Sequence, residues 1–473
     1  MVDALNRALA HTEAWLAGAD KRSVAATATT QELRARIAIP LESHGVAPAR
    51  VIDELVAATA GGMLGSGGGR FYAWVIGGSL ESALAADWLV SAWDQNAGIA
   101  ATSPASAIVE EVAGAWIKDV LGLPADASFA FGTGCQLAHV TCLAAARHRV
   151  LARAGWDVEV EGLAGAPRIR ILTSALRHSS VDRAVRFLGI GTRSLQAIAV
   201  DDAGVVQADA LRLALAESTA PTIVVLDAAD LSIGAMDSFA TLVPIAREHG
   251  AWVHVDGAFG LFARASSSQR ALVAGVEQAD SWATDGHKWL NVPFDCGIAI
   301  VRDAEAHRAS MKVSAAYLAV DEAVRDAIDW TPEFSRRARG VPVYAALREL
   351  GRDGLEALID RTCGFCTALV SGIGALPGAE VVWQPTLNQG LLRFLDSKPG
   401  ATEADHDART LEVLAGVNAT GEAFFSPTIW RGRKVMRVSV VNWRTTAADV
   451  ERTIAAVARV LLAAPLPVTT RGA

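Results

Sequence analysis

The sequence predicts an α/β protein with a mainly parallel central β-sheet and a smaller α+β C-terminal domain. Between residues 169 and 302, short apolar runs typical of buried strands alternate with runs of helical periodicity. This alternation implies crossover connections, which place helices on the faces of a parallel sheet. The chain has 473 residues, 51% hydrophobic and 20% charged. That is enough for roughly two or three packed regions, and it excludes disorder as the dominant state.

The elements of the larger part follow in a regular order. The first hundred residues have helical patterns around a glycine-rich break, Gly61–Gly69, where we predict a loop. Helices are predicted over Ile108–Leu121 and from about Leu137 to Ala154. The predicted strands are Ile169–Leu172, Leu195–Val200, Thr222–Leu226, Ala251–Val255, Asp280–Ala283 and Gly297–Arg302. The helices between them are Val181–Leu188, Ala208–Glu217 and Phe239–Glu248.

Beyond Arg302 the alternation weakens, which indicates a different kind of domain. The predicted elements there are a loop at Ser314–Pro332, a helical Val341–Leu376, strands near Val381–Trp383, Leu391–Phe394 and Val435–Val441, and a last helix, Ala447–Leu462. We therefore predict an N-terminal helical arm at residues 1–100. A large α/β domain follows at 101–335, and a small α+β domain at 336–473.

The charge of the chain narrows the class of partner. The 43 basic and 51 acidic residues give a formal net charge of −8, and no long basic run occurs. This balance argues against nucleic acid or an anionic membrane as the main partner, so we expect a small metabolite.

Cysteine usage and the N-terminus indicate a cytoplasmic protein. Five cysteines, an odd and thinly spread number, are typical of thiols in a reducing compartment. Cys363 and Cys366 form a CxxC in a helical context without a second pair, so we expect thiols there and no metal site. Asp3, Arg7 and Glu13 interrupt the apolar core that a signal peptide needs. No stretch reaches the ~18–20 apolar residues of a membrane span.

One lysine stands out among only six in the chain. Lys288 lies in the segment Asp285-Gly286-His287-Lys288-Trp289, which follows a short predicted strand and precedes another. Ligands of α/β sheets gather at such strand ends. Lysine, unlike arginine, can lose its proton and form a Schiff base with a carbonyl group. Considered alone, Lys288 could still be a structural lysine.

A second segment places a carboxylate at the end of a buried strand. Asp256 follows the apolar run Trp252–Val255 and precedes Gly257-Ala258. The carboxylate could hold a proton on a heteroaromatic nitrogen. It could equally cap a helix or bind a metal.

Two further segments open helices. The turn Gly132-Thr133-Gly134-Cys135-Gln136 precedes the long predicted helix, and its backbone N–H groups would favour a phosphate at the helix N-terminus. His178 precedes another helix and could be its N-cap or a ring-stacking residue. Together the four segments supply an amine, an acid, a phosphate cradle and a flat imidazole, which is the set that a pyridoxal-phosphate site requires.

The motifs that carry these residues resemble a known family. In order along the chain they are RFYAWVIGG, Ser103-Pro104-Ala105 before a helix with Glu110, HSSVDRA, HVDGA, DGHKWLNVPFDCG and Ser335-Arg336-Arg337. From about Gly69 to the last helix, the chain resembles the group II pyridoxal-phosphate-dependent amino-acid decarboxylases. These include the aromatic-amino-acid and glutamate decarboxylases and share the aspartate-aminotransferase-type fold, fold type I.

The resemblance implies a role for each matching residue. Lys288 would carry pyridoxal 5'-phosphate as a Schiff base, the internal aldimine, and Asp256 would pair with the pyridine nitrogen. His178 would stack on the ring, and Ala258 would pack against its other face. The residues implied to hold the phosphate are Gly134, Cys135, Gln136 and His287. Tyr317, 29 positions after Lys288, matches a loop tyrosine that protonates the α-carbon in aromatic-type members; it could instead be a loop aromatic packed on the core.

Three departures from the family pattern bear on reaction specificity. Gln136-Leu137 replaces a small hydroxyl residue and a glutamate, Asp230 replaces a threonine or asparagine, and Asp285 replaces a common neutral neighbour of the phosphate. An extra carboxylate would alter the charge around Asp256 or the phosphate.

The sequence therefore predicts decarboxylation of an L-amino acid, aromatic side chains among the candidates, to an amine and carbon dioxide. The alternatives within the same fold are an aldehyde synthase, an aminotransferase and an aldolase or lyase. A catalytically inactive homologue that acts as a binding protein is a further alternative, disfavoured because Lys288 and Asp256 are both present. The resemblance also implies a homodimer with the cofactor near the subunit interface.

Overall fold

The computed structural model describes residues 2–312 and 324–463. They form two compact units. One consists of Gly77–Gly364 and Pro385–Gln389, and the other of the described residues within Met1–Ile76, Phe365–Gln384 and Gly390–Ala473. The three-segment division expected from the sequence stays a prediction. Residues 314–323 of the predicted loop Ser314–Pro332, Tyr317 among them, lie outside the described residues.

Each helix predicted beyond residue 100 coincides with a helix of the structure, which contains others that were not predicted. The helix bounds are α1 Val2–Ala17, α2 Thr30–Ile37, α3 Pro48–Thr59, α4 Glu81–Trp93, α5 Pro104–Val120, α6 Cys135–Arg153, α7 Val158–Glu161, α8 Ser179–Phe187, α9 Ala208–Ala216, α10 Phe239–Glu248, α11 Ala304–Met311, α12 Gly340–Gly374, α13 Glu403–Ala419 and α14 Ala447–Leu462. Gly351 interrupts α12 with φ 62° and ψ −171°, a conformation that glycine adopts without a Cβ clash. The long helical run expected there is therefore two helices that meet at a kink.

The larger unit contains a seven-stranded sheet. Its strands are β1 Ser128–Gly132, β2 Arg170–Ser174, β3 Leu195–Ile198, β4 Thr222–Asp227, β5 Trp252–Asp256, β6 Ser281–Asp285 and β7 Gly297–Val301. The spatial order is β1-β7-β6-β5-β4-β2-β3. The pairs from β3 to β6 are parallel, whereas β7 runs antiparallel to both β6 and β1. The predicted mainly parallel sheet is confirmed, but the sequence analysis missed β1.

Helix α6 packs closely on this sheet because of its small residues. Ala144, Ala145 and Ala146 are buried together with Cys142, and the thiol of Cys142 donates to the carbonyl of Trp282 on β6 at 3.4 Å. Small side chains allow a helix to approach a sheet closely, at the packing density of protein interiors. This packing brings the first turns of α6 to the ends of β5 and β6.

The smaller unit contains a four-stranded sheet in the order β10-β11-β9-β8. Its strands are β8 Ala379–Trp383, β9 Gln389–Phe394, β10 Ser426–Trp430 and β11 Arg433–Ser439. The α+β character expected of the C-terminal region is confirmed, although α13 and β10 were not predicted. In β10 the exposed Pro427 and Ile429 alternate with buried or half-buried residues, and the strand lies at the edge of its sheet.

The N-terminal helices bury little of their own surface. None of the described residues of α1, α2 or α3 is buried. The glycine-rich segment Gly61–Gly69 contains neither helix nor strand, as predicted. Among residues 2–312 and 324–463, no helix combines the length and apolar character required to cross a membrane.

Candidate active site

A cavity of about 420 Å³ lies where the parallel strands of the large sheet end at their carboxyl termini. Its walls include the ends of β4, β5 and β6 and the N-termini of α6 and α8. A volume of about 300–1,000 Å³ is usual for a small-molecule site. The structure brings together the following predicted residues in this cavity: Gly134, Cys135, Gln136, His178, Asp256, Ala258, His287 and Lys288.

Lys288 lies three residues beyond the end of β6 and lines the cavity. Its Nζ is 3.1 Å from Oδ2 of Asp285, and a fifth of its side chain is exposed. Burial lowers the pKa of Lys288, but nearby carboxylates, Asp285 foremost, raise it by more, so the pKa lies above its usual value. Lys288 is therefore an ammonium group paired with Asp285 at neutral pH.

Asp285 also touches the start of α6. Its Oδ1 accepts a hydrogen bond of 2.6 Å from the backbone N–H of Cys135 and is 3.7 Å from Nε2 of His287. The other ring nitrogen of His287 accepts from the N–H of Cys296 at 3.1 Å, so a neutral His287 carries its proton on Nε2. Burial lowers the pKa of His287. The carboxylate singled out as a departure thus joins Lys288 to the N-terminus of α6.

Asp256 ends β5 and is 6% exposed. Its Oδ1 accepts from the N–H of Ala258 at 3.1 Å, and its Oδ2 is 3.4 Å from Nε2 of His139. Burial alone would raise the pKa of Asp256, but His139, and then Lys288, lower it below its usual value. Asp256 is therefore an ionised carboxylate with both oxygens held.

Cys135, His139 and Asp256 are also close enough to be considered as metal ligands. Their ligand atoms lie within 4.8 Å of one another, and Sγ of Cys135 is 3.5 Å from Nε2 of His139. Burial raises the pKa of the Cys135 thiol well above its usual value, which favours the neutral thiol. Hydrogen bonding accounts for these distances, and we assign no metal here.

The sequence left His178 as either a helix N-cap or a ring-stacking residue. It is the N-cap of α8: its Nδ1 accepts from the N–H of Ser180 at 3.3 Å and is 2.7 Å from the Ser180 hydroxyl. It also lines the cavity. Because Nδ1 is an acceptor, a neutral His178 carries its proton on Nε2.

The turn before α6 depends on a close backbone approach. Gly297 of β7 pairs with Gly132 of β1, and a Cβ on Gly297 would lie 2.2 Å from the carbonyl carbon of Gly134. Only glycine fits there, because real Cβ atoms do not approach so closely. Gln136 then ties α6 to α8 by donating from Nε2 to the carbonyl of Ser180 at 3.1 Å.

A buried ion pair supports the strand that leads into this turn. Nη1 of Arg336 is 2.8 Å from Oε2 of Glu110, and Nη2 donates to the carbonyl of Phe131 at 2.9 Å. In the sequence, Arg336 and Glu110 mark only the resemblance to the family. Their function as an anchor for β1 became visible only in the fold.

Two other acidic residues lie near the end of β4. Asp227 was not predicted from the sequence, and the effect of Asp230 was left open. Asp227, at the end of β4, stands beside Asp256 in the sheet register and lines the cavity. Burial, followed by Asp256, raises the pKa of Asp227 well above its usual value. Asp230 accepts from the N–H groups of Ser232 and Ile233 at 2.8 and 2.9 Å, which stabilises the turn after β4. An acidic residue at the end of a buried strand was the available signal for Asp227, as it was for Asp256.

The donor set fits the cofactor that the motifs imply. A half-buried amine, a held carboxylate and an imidazole face one cavity, and a helix N-terminus lies at its edge. Lys288 would supply the amine for the cofactor aldehyde, and Asp256 would supply the negative charge for a protonated ring nitrogen. Gly134, Cys135 and Gln136 form the helix N-terminus that favours a phosphate.

Comparison with known proteins gives an independent result. Residues 65–394 match the model of the pyridoxal-dependent decarboxylase conserved domain. The chain is 31% identical over 386 residues to L-2,4-diaminobutyrate decarboxylase of Rhizobium meliloti (strain 1021), covering 79% of this chain and 74% of that protein. It is 28% identical over 412 residues to tryptophan decarboxylase 1 of Oryza sativa subsp. japonica, covering 82% and 79%.

The solved structures show the same fold. The crystal structure of Oryza sativa TDC with PLP and tryptamine superposes with a TM-score of 0.90 at 23% identity, and covers 97% of this chain and 96% of that chain. The expected fold type I architecture is confirmed. The chain belongs to the pyridoxal-dependent decarboxylase family, and it is an amino-acid decarboxylase, a carboxy-lyase, whose cofactor is pyridoxal 5'-phosphate.

Proposed function

We propose that this chain converts an L-amino acid to its amine and carbon dioxide, with Lys288 as the residue that binds the cofactor aldehyde and Asp256 as the partner of the ring nitrogen. One observation carries the proposal. Lys288 and Asp256 face the same cavity from the ends of neighbouring strands, and Asp256 has a carboxylate held from two sides. When bound, pyridoxal phosphate supplies an electron sink for the pair released as the carboxylate departs.

Asp256 and Asp285 would have different electrostatic roles. Ionised Asp256 would keep a proton on the ring nitrogen, which a neutral residue would do less well. Asp285 neutralises the Lys288 ammonium in the cofactor-free protein and is within 3.1 Å to take the proton that the amine must lose. Asp285 also accepts the N–H of Cys135, which leaves fewer amides of that turn for a phosphate.

The remaining predicted residues would orient the cofactor. Gly134, Cys135 and Gln136 would bind the phosphate at the start of α6, together with Nε2–H of His287. His178 would pack on one face of the ring and Ala258 on the other. Because its Nδ1 is engaged by Ser180, His178 presents Nε2–H as a second candidate for proton return to the α-carbon.

A borohydride experiment tests the assignment of Lys288. Reduction of the holoenzyme followed by peptide mass spectrometry should locate the cofactor adduct on Lys288. Lys288→Arg keeps the positive charge beside Asp285 but cannot form an imine, and it should lose both the adduct and turnover. An adduct on any other lysine peptide would overturn the assignment.

Substitution at Asp256 tests its role. Asp256→Asn should still bind cofactor but lose most of its activity, because a neutral partner stabilises the charged ring nitrogen poorly. Activity near the wild-type value would contradict the role.

A direct screen of amino acids can identify the side chain of the substrate. Two relatives are named for a basic and an aromatic amino acid, so both classes belong in an unbiased panel assayed for carbon dioxide release. Mass spectrometry of the products separates amine formation from aldehyde formation, transamination and cleavage, which are the alternatives within this fold.

Tyr317 is proposed as the acid that returns a proton to the α-carbon. The role usually contributes ~10²–10⁴-fold in rate. Tyr317→Phe should leave cofactor binding intact, slow amine release and raise aldehyde and ammonia formation. If the rate and the product ratio both stay at wild-type values, Tyr317 has only a packing role and His178 becomes the leading donor.

We further propose a homodimer that uses the N-terminal arm as its interface. Of the 27 large exposed hydrophobic residues in the described chain, 13 lie between Val2 and Met63. Such a concentration of apolar surface is typical of an interface. Light scattering at assay concentration should give the dimer mass, and an active monomer would refute the proposal.

We also propose a cytoplasmic location, supported by five buried cysteines with no disulfide among them.

A further inference from the structure

A line of buried polar side chains runs back from Asp256 into the core. Oδ2 of Asp256 is 3.4 Å from Nε2 of His139, and Nδ1 of His139 is 2.9 Å from Nε2 of His254. Nδ1 of His254 is 2.9 Å from Oγ of Ser281, which accepts a 2.9 Å hydrogen bond from Nε1 of Trp252. His139, His254 and Ser281 are fully buried. The line therefore links β5, α6 and β6 through side chains that have no surface exposed to bulk solvent.

With both rings uncharged, one arrangement of protons satisfies every atom in this line. A carboxylate only accepts, so His139 must donate from Nε2 and accept at Nδ1. His254 then donates from Nε2 and accepts at Nδ1 from the hydroxyl of Ser281. That hydroxyl in turn accepts from Trp252, whose indole nitrogen only donates. Burial is the main cause that lowers the pKa of His254 to about 3, in keeping with an uncharged ring.

The line ends on the carboxylate oxygen that the backbone does not hold. Oδ1 of Asp256 is held by the N–H of Ala258 and Oδ2 by His139, so the plane of the carboxylate is determined by two donors. His139 lies one turn after Cys135 on α6, the helix whose N-terminus we propose as the phosphate site. One rigid helix therefore connects the two ends of the cofactor cavity.

We propose that His139 and His254 are positioning residues that orient Asp256 and keep it ionised toward the ring nitrogen of the cofactor. This inference rests on the proposed role of Asp256. Polar groups behind a ligand-binding residue fix its orientation and charge in the same way at metal sites. A histidine pair that served only to fill the core would affect the binding affinity of every occupant of the cavity equally.

The test compares two cofactors in binding to the apoprotein. One is pyridoxal phosphate, and the other is its analogue with a C–H group in place of the ring nitrogen. The measured quantity is the ratio of the two dissociation constants, from absorbance or fluorescence titration. The wild type should bind pyridoxal phosphate more tightly than the analogue. Equal binding would refute the role of Asp256 itself, and hence the proposed function, independently of the histidines.

The variants of His139 then test the inference. His139→Leu removes the donor and should reduce the preference for pyridoxal phosphate about 10-fold, the effect of a lost hydrogen bond to a charged group. His139→Gln keeps an N–H donor near the position of Nε2 and should restore most of the preference. Equal weakening of both cofactors in His139→Leu, or no weakening, would overturn the proposal.

Two further variants keep the result interpretable. His307 is a buried histidine elsewhere in the same unit, with Ser128 2.8 Å from Nδ1 and the carbonyl of Trp330 2.8 Å from Nε2. His307→Leu should leave the preference for pyridoxal phosphate unchanged, and a drop as large as that of His139→Leu would overturn the proposal.

If His139→Leu does not fold, Ser281→Ala provides the test. The preference should fall because His254 loses its donor, and an unchanged preference would overturn the proposal.

Discussion

Replacing Arg336 by methionine removes the cation from a buried ion pair while keeping much of the side-chain volume. Arg336 and Glu110 are 2.8 Å apart, and their side chains are 1% and 3% exposed. Arg336 also donates to the carbonyls of Ala97 and Phe131 at 2.9 Å each. The variant therefore leaves the Glu110 carboxylate in the interior without its cation and two carbonyls without their donors.

The size of the effect follows from this burial. Breaking a buried pair by removing one partner costs about 3–5 kcal/mol, because the other charge stays uncompensated. The larger unit has about 290 residues. At ~2.1 cal/mol/K per residue, its unfolding entropy at the midpoint is about 0.6 kcal/mol/K. If this unit unfolds in its own transition, its melting midpoint should fall by about 5–8 °C.

Calorimetry of the apoprotein measures the shift. The double variant Arg336→Met with Glu110→Leu should recover most of the loss, since neither charge remains. Arg352→Met, which breaks the exposed pair with Asp119, should change stability by less than about 1 kcal/mol. Cofactor affinity should also fall in Arg336→Met, because Phe131 leads into the phosphate turn. A midpoint equal to that of the wild type, or a double variant no better than the single one, would refute the reasoning.

Two other substitutions probe the cavity. Asp285→Asn removes the largest contribution that raises the pKa of Lys288, so in stopped-flow measurements the rise of the cofactor-binding rate with pH should move to lower pH; an unmoved profile would contradict the assigned pairing. Gly297→Ala places a Cβ 2.2 Å from the carbonyl carbon of Gly134 and should weaken pyridoxal phosphate binding by about 10-fold or more, since overpacking costs about 1–3 kcal/mol. Gly364→Ala, whose Cβ meets nothing within 4 Å, is the matched control, and equal affinity in the two variants would exclude the steric argument.

Most of the large sheet was predictable because its strands are buried on both faces. The runs at Thr222 and Trp252 are mainly apolar, and β4 and β5 begin at these residues. β1 was missed because Ser128–Gly132 is short and contains a glycine and a serine. It is a strand because β7 pairs with it along its whole length. In the C-terminal region, α13 begins at a capping box on Thr402 that the analysis did not use.

The site residues that were predicted carry rare or conspicuous chemical groups. Those that were missed act through other residues or lack a motif. Lys288 stood out among six lysines, and Asp256 ended an apolar run. His139 gave a weaker signal, a single imidazole in the small apolar run of α6, which reads as a core residue. Asp227 followed a buried strand as Asp256 does, but no motif marked it.

The sequence by itself determined the cofactor chemistry, because the amine, the acid and the glycine turn are local features tied to the ends of predictable elements. Only the tertiary structure decided what surrounds them. His139 and His254 are 115 positions apart, Cys135 and Asp285 are 150, and Glu110 and Arg336 are 226. These contacts depend on how closely α6 packs on the sheet and on which strands pair. Periodicity and local propensity carry no information about either, because they report which face of an element is buried and not which residue it meets.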